Sequence, residues 1–538
     1  MDFLKEVSPR EYQKNILETC MKKNCLVVLP TGLGKTLIAL MLTIERMKAF
    51  PGKKVVFLAP TKPLAEQHQV YFKKHLPELF GEMQLFTGSV NATSRKKLWQ
   101  TSDIIFSTPQ CVANDLKNNL YDLNDVCLLI EDEAHRCVKN YDYNIIAKRY
   151  MEQSSNPRII GLTASPGSDF LKIKEICRNL SIEEVEIRTR DSPDVKEYLQ
   201  KLNFEAIKID FPPELLEIKL LIKTIYDKKV GELKNRKLLW GVANKKTLLE
   251  LQSKIMRMIT TGNRNFNVLA GASACATAIK IQHAIELLET QTLYSLQQYF
   301  FNLFEQAKNN KSKAIQQLVK QEEFTKSYIL LNELLSKNIE HPKLSRLKEI
   351  VDSAMKEDEK TKILIFTQFR DTAARICKEL NLNEKVRAKV FVGQAKKTTR
   401  GKEKNESGLS QKEQQSMIKE FSSGEINSLV ATSIGEEGLD LPEISMVIFY
   451  EPVPSAIRTI QRRGRTARLA PGKLIILITK DTRDEAYYWT AFQKEKKMYR
   501  VINELKGNFQ LVKGDGPRKN LGSSCEKEKK EEKQKTLY

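Results

Sequence analysis

Two α/β domains, each built on a parallel sheet, with an all-helical insertion between them: this fold class is predicted by three observations. Short apolar runs rich in β-branched residues alternate with amphipathic helical stretches from about residue 25 to 190. The same alternation resumes at 362 and runs to 478. Between the two, residues 211–341 carry helical spacing and few strand signals. Nearly continuous apolar strands separated by helices indicate a parallel sheet covered on both faces.

In the first half the strand runs are 25–29, 55–59, 83–86, 103–107, 126–130 and 158–162. Polar motifs follow several of them, at the strand ends where open α/β sheets bind ligands. In the insertion, Leu215, Ile218, Ile222 and Ile225, then Leu248, Leu251 and Ile255, recur with helical period. A Thr-Gly-Asn-Arg-Asn stretch at 261–265 breaks this block once. The second half has strand runs at 362–366, 388–392, 428–431, 445–450 and 473–478. After about Gly514 the chain turns to Gly, Ser, Lys and Glu, the composition of a disordered tail. The expected division is therefore 1–205, 206–343, 344–510 and a charged tail at 511–538.

Composition narrows the function classes. The 538 residues carry a formal charge of +22, an excess that favours a polyanionic partner, nucleic acid ahead of a membrane surface. The nine cysteines show no CxxC pairing and read as reduced thiols of an intracellular protein. The N-terminus lacks the features of a signal peptide, and no run is expected to reach transmembrane length. The expected location is the cytoplasm, in association with the nucleoid.

Leu29-Pro30-Thr31-Gly32-Leu33-Gly34-Lys35-Thr36 follows the first strand run, and Asp132-Glu133-Ala134-His135 follows the fifth. The first segment suits a nucleotide triphosphate. Consecutive N–H groups at a helix N-terminus converge on phosphate. Gly32 and Gly34 permit the tight backbone, Lys35 reaches the β and γ phosphates, and Thr36 binds Mg²⁺. Leu29 stands where the usual phosphate loop has its first Gly. Asp132 is placed to hold Mg²⁺, and Glu133 to orient and deprotonate the attacking water. Upstream, Arg10 and Gln13 offer an adenine contact through the Gln13 amide. Four arginines fall within 461–468, far from Lys35 in the chain. Near a nucleotide they supply arginine fingers, so the site would be complete only when two domains close on it.

Taken together these residues resemble the superfamily 2 helicases, in the family order. The matching segments are Gln13, 30–36, 59–67, 108–110, 132–135, Leu162-Thr-Ala-Ser-Pro-Gly167, Ala431-Thr-Ser-Ile-Gly-Glu-Glu-Gly-Leu-Asp440 and Gln461-Arg-Arg-Gly-Arg-Thr-Ala-Arg468. Phe366-Thr-Gln-Phe-Arg-Asp371, Phe391-Val-Gly-Gln-Ala395, Gly408-Leu-Ser-Gln-Lys-Glu413 and the helical insertion resemble archaeal Hef and the FANCM helicases. The resemblance implies RecA-like domains and the use of ATP and Mg²⁺. It implies Arg465 and Arg468 as fingers and Gln461 facing His135 and the γ-phosphate. Gly438 and Asp440 would lie on the nucleotide, Asp440 at the ribose. Thr163 and Ser165 would couple hydrolysis to domain motion. Full-length Hef carries a C-terminal nuclease whose signature is absent from these residues, so the expectation is a helicase portion of a longer protein, with a homologue lacking the nuclease as the alternative.

The same resemblance implies a polynucleotide track. Pro60, Thr61, Thr108 and Pro109 on one domain, and Gln368, Phe369, Gly393, Gln394 and Thr432 on the other, match positions that hold the sugar–phosphate backbone. Hydroxyls, amides and backbone N–H groups grip without reading sequence. For a single Thr the competing reading is a helix N-cap. Tyr299, Phe300, Phe301 and Phe304 fit core packing better than a wedge between bases. Gln534 and Leu537 resemble the start of a sliding-clamp motif, with chance in a charged tail as the competing reading. The expected activity is an ATP-dependent DNA helicase or translocase on forked and branched DNA. The alternative is an ATP-dependent double-stranded RNA translocase or sensor of the RIG-I and Dicer type.

Overall fold

The computed structural model describes residues 3–190, 192–198, 202–310, 312–393, 409–432, 441–442, 444–455 and 472–511. Its first sheet holds β1 (Cys25–Val28), β2 (Lys54–Leu58), β3 (Met83–Phe86), β4 (Ile104–Ser107), β5 (Val126–Asp132), β6 (Ile159–Thr163) and β7 (Glu184–Ile187). All pairs are parallel, in the order β3-β4-β2-β5-β6-β1-β7. The reason is visible in β5, which is buried along its whole length. Leu129 packs on one face with Tyr143 and Ile173, and Leu128 and Ile130 on the other with Ile38, Leu42 and Phe57. A strand apolar on both faces needs helices on both sides, which parallel crossovers supply.

The second sheet holds β8 (Leu202–Ile209), β9 (Ile363–Phe366), β10 (Ala388–Phe391), β11 (Ser428–Ala431), β12 (Met446–Phe449) and β13 (Gly472–Thr479). Again every pair is parallel, in the order β10-β11-β9-β12-β13-β8. β8 precedes the insertion in the chain yet pairs with β13, from Leu202 opposite Gly472 to Ile209 opposite Thr479. The expected boundary at 205/206 thus falls inside one strand of the second sheet. A second departure lies at the other end. The helix Arg483–Leu511 starts beside β13, but Met498, Val501 and Ile502 are buried in the core of the first sheet.

The insertion comprises the helices Pro213–Asn235, Lys245–Thr260, Phe266–Thr290, Leu293–Lys308, Lys313–Val319 and Glu322–Ser336. Phe300 is fully buried against Phe324, so it packs the core as expected, while Phe301 is exposed. One expectation is corrected here. The helix Phe266–Thr290 is long and apolar enough to cross a membrane by length and composition. Its apolar window is 56% buried within the protein, because it runs through both insertion cores and packs on the first insertion helix.

A buried polar joint ties the insertion to the second sheet. Lys343 pairs with Asp484, both completely buried, and Lys343 Nζ also donates to the Thr290 carbonyl at 3.1 Å. Gln291, at the corner after the long helix, accepts through Oε1 from Thr372 (2.9 Å) and Thr367 (3.4 Å). Ser295 and Thr372 hydroxyls lie 3.0 Å apart.

Candidate nucleotide and nucleic-acid site

The three strands that end at the candidate nucleotide site are neighbours. β5 carries Asp132 at its last position, β6 ends at Thr163, and β1 leads into the loop that precedes the helix Lys35–Ala49. Val28 lies opposite Thr163, and Asp132 opposite Leu162. Parallel pairing therefore brings segments a hundred residues apart to one edge of the sheet.

Gly32 and Gly34 both take positive φ, +88° and +76°, a region that strains side-chain-bearing residues. Pro30 is buried and anchors the loop, and Thr31, Lys35 and Thr36 are half-buried at its opening. Lys35 Nζ donates to the Leu29 carbonyl at 2.9 Å, so its ammonium is folded over the loop. The N-terminal helix clasps the same loop. Tyr12 Oη and Gln13 Nε2 donate to the Leu33 carbonyl at 2.8 and 3.1 Å. Gln13 Oε1 accepts from the Arg10 N–H at 2.9 Å, and the Arg10 guanidinium lies over the Tyr198 ring. The Gln13 amide, expected to meet a base edge, is thus engaged by protein at both ends.

The buried Asp132 carboxylate meets His68 Nε2 at 2.9 Å. Burial pushes this carboxyl up, but the His68 hydrogen bond and charge, together with Lys35, bring it net below its usual value. It is an anion at neutral pH beside an ammonium, so it could help hold a divalent cation. Glu133 takes a left-handed conformation, φ +51°, unusual for Glu and typical of a strained functional turn. His135 Nδ1 lies 3.2 Å from both Glu133 Oε2 and Thr163 Oγ1. The Ser165 N–H donates to Thr163 Oγ1 at 3.1 Å, and Ser165 Oγ meets Met498 Sδ at 2.8 Å. His68, Tyr12 and Met498 were not expected from the sequence. His68 stands one residue beyond the 59–67 segment with nothing to mark it, and Met498 reaches the site only through the returning helix.

The track positions follow strand ends on both sheets. Pro60 and Thr61 follow β2, and Thr108 and Pro109 follow β4. Thr61 and Thr108 do stand at N-cap positions, yet neither side chain makes a capping hydrogen bond. Gln368 follows β9, with its N–H donating to Glu451 Oε1 at 2.5 Å. The Gly393 carbonyl accepts from Arg370 at 2.7 Å, and the Thr432 N–H donates to the Phe391 carbonyl at 3.2 Å. Phe369 departs from the expectation. Its half-buried ring turns to the insertion, 5.4 Å from the ring of His283, because the insertion core extends up to the start of its helix. Gln394, Gly438, Asp440, Gln461, Arg465 and Arg468 lie outside the described residues.

A phosphate loop, an acidic strand end and a second parallel sheet define the helicase class of nucleotide-driven proteins. Comparison with known proteins agrees. Residues 10–173 match the DEAD/DEAH box helicase family, and 342–470 the helicase conserved C-terminal domain. Residues 214–340 match an RNA-helicase helical-bundle family. The crystal structure of the Pyrococcus furiosus Hef helicase domain superposes with a TM-score of 0.68 at 43% identity, covering 90% of this chain and 98% of that one. A Methanocaldococcus jannaschii protein, provisionally named an ATP-dependent RNA helicase, is 37% identical over 93% of this chain and 61% of its own length. The ATP-dependent DNA helicase fml1 of Schizosaccharomyces pombe is 31% identical over 95% of this chain and 60% of its own. The chain belongs to the superfamily 2 helicases, in the branch of archaeal Hef. It spans about three-fifths of the length of these two curated relatives.

Proposed function

We propose that this chain is an ATP-dependent DNA helicase or translocase that remodels forked and branched DNA. The observation that carries this is the shared edge. Asp132 and Thr163 end two adjacent strands, Lys35 opens the helix after the third, and the described track positions follow strand ends of both sheets. Likeness to fml1, named an ATP-dependent DNA helicase, supports DNA as the polymer.

Lys35 exchanges its carbonyl partner for phosphate oxygens. Asp132 and Thr36 hold Mg²⁺, which when bound neutralises the phosphates. Glu133 orients the attacking water and accepts its proton. His135, in contact with both Glu133 and Thr163, passes the change in that carboxylate through Thr163 to Ser165. Arg465, Arg468 and Gln461 complete the site from the second domain, with Gly438 and Asp440 on the nucleotide. Pro60, Thr61, Thr108 and Pro109, with Gln368, Gly393, Gln394 and Thr432, hold the backbone in two grips whose separation changes as the cleft closes.

The test pairs ATP turnover with DNA binding. Lys35→Ala and Glu133→Gln are expected to lower turnover at least about 10²-fold while fork binding survives. Unchanged turnover in both variants refutes the assignment. An RNA substrate is the second reading, favoured by the name of the Methanocaldococcus relative. Strand displacement on matched DNA and RNA forks separates the two. A sliding-clamp contact through Gln534 and Leu537 is tested by clamp pull-down with Leu537→Ala, and a nuclease partner domain by assaying the longer protein.

A further inference from the structure

The turn between the helices Pro213–Asn235 and Lys245–Thr260 holds Trp240 76% exposed and Val242 78% exposed. The turn is not loose. Leu238 and Leu239 N–H groups both donate to the Leu233 carbonyl, and Leu239 is buried in the insertion core. Beyond the ring, Tyr226 Oη donates to the Ala243 carbonyl at 3.0 Å and Thr247 Oγ1 to the Val242 carbonyl at 3.1 Å. Gly241 makes the reversal with φ +78°. A fixed backbone thus presents to solvent the side chain that gains most from burial.

The surroundings say what would cover it. Residues 228–246 hold seven Lys or Arg and one acid, Glu232, which Lys229 and Arg236 engage; Lys228, Lys245 and Lys246 meet Glu323, Glu286 and Glu250, and Lys234 and Lys237 stand on the approach to the turn. Arg236 also lies over the ring of Phe266, 81% exposed at the start of the long helix. A polyanion carrying flat aromatic faces matches both the charge and the ring, whereas a duplex buries its base faces by stacking. Aromatic rings in cationic surroundings are how single strands are bound without sequence preference. From Lys219, which reaches Glu289 at the joint, to Leu233 the helix advances roughly 20 Å, so this surface stands apart from the track.

We infer that Trp240 is a base-stacking contact for single-stranded nucleic acid, presented by the insertion at a distance from the two-sheet track. The inference rests on the nucleic-acid reading above. Its test uses a Trp489→Phe background, which removes the other exposed indole. Trp99 is buried and stacked on Tyr121, giving a constant signal. Titration with an oligothymidylate is expected to quench Trp240 emission. Trp240→Ala is expected to weaken single-strand binding roughly 5- to 100-fold, with duplex binding unchanged, and Trp240→Phe to retain most of the affinity. Absence of quenching, affinity of Trp240→Ala within twofold of the parent, or equal quenching by polyglutamate each overturns the assignment. DNA-stimulated ATPase of the parent protein is measured alongside. If it is present while Trp240 is silent, only this inference fails; if it is absent, the helicase reading fails.

Discussion

Replacing Lys343 by Met removes the cation from a pair in which neither side chain has any exposed surface. Asp484 then keeps one backbone donor, the Thr479 N–H at 3.0 Å. Breaking a buried pair in this way costs about 3–5 kcal/mol, because one charge is left without a counter-charge or water. The pH dependence has a definite sign. Burial raises the Asp484 carboxyl above its usual value even with Lys343 opposing, so the folded state holds its proton to higher pH than the unfolded state does. Stability then falls as pH rises through that interval, and loss of Lys343 widens it. The Lys343→Met defect is expected to be larger at pH 8 than at pH 5. Asp484→Asn alone strands the ammonium instead. The double variant, with neither charge and with an Asn oxygen still facing Thr479, should cost about 1 kcal/mol or less, giving a coupling of at least about 2 kcal/mol. Urea unfolding followed by Trp489 emission, in the same helix as Asp484, is the assay. A double variant that costs the sum of the singles, or a Lys343→Met defect independent of pH, refutes the reasoning.

Gly34→Ala places a methyl 2.4 Å from Gln13 Nε2 at φ +76°, so nucleotide affinity should fall at least about tenfold, from strain plus a lost Gln13 bond of about 1–2 kcal/mol each; titration with a fluorescent ATP analogue checks it. His68→Leu removes the hydrogen bond and charge that hold the Asp132 carboxyl down. The acid limb of the turnover profile should move to higher pH, and an unmoved limb contradicts the role given to His68. Met498→Ala opens a cavity beside Ser165 and should destabilise the first domain by about 2–5 kcal/mol while lowering unwinding per ATP consumed; a fall in stability with unchanged unwinding per ATP assigns Met498 to packing alone.

The site was legible where chemistry and strand end coincide. Asp132 closes an apolar run, Lys35 opens a helix after another, and parallel topology does the rest. What stayed hidden is nonlocal or depends on burial of charge. β8 is not among the strand runs expected from the sequence: Phe204 and Glu205 are exposed on an edge strand, and its partner β13 lies some 270 residues away in the chain. Lys343 and Asp484 have surface letters, and nothing near either one in sequence announces the other. Phe369 matched a track motif, but the ring's direction is set by His283 and the insertion core, which a strand-end motif does not contain.

Three groups of the candidate nucleotide site are held by protein partners: Lys35 on the Leu29 carbonyl, Gln13 on that of Leu33, Asp132 on His68. Moving Lys35 from a neutral carbonyl to an anionic oxygen adds a charge–charge attraction to a hydrogen bond it already makes, which favours the exchange without prior unfolding of the loop. The Leu33 carbonyl, tied to both Tyr12 and Gln13, keeps the N-terminal helix moving with the loop. On the far side, Glu133, His135, Thr163 and Ser165 are in successive contact, and Ser165 ends on Met498. The helix that carries Met498 begins at the Lys343–Asp484 pair, and Lys343 also holds Thr290, next to Gln291 on Thr372 in the track turn. One helix thus joins the DEAH turn of the first sheet to the start of the helix Arg370–Leu380, which follows β9 of the second. Asp484 in the first turn of that helix and Met498 midway along it are both fully buried, so the two sheets share one element that does not run through solvent-exposed loops.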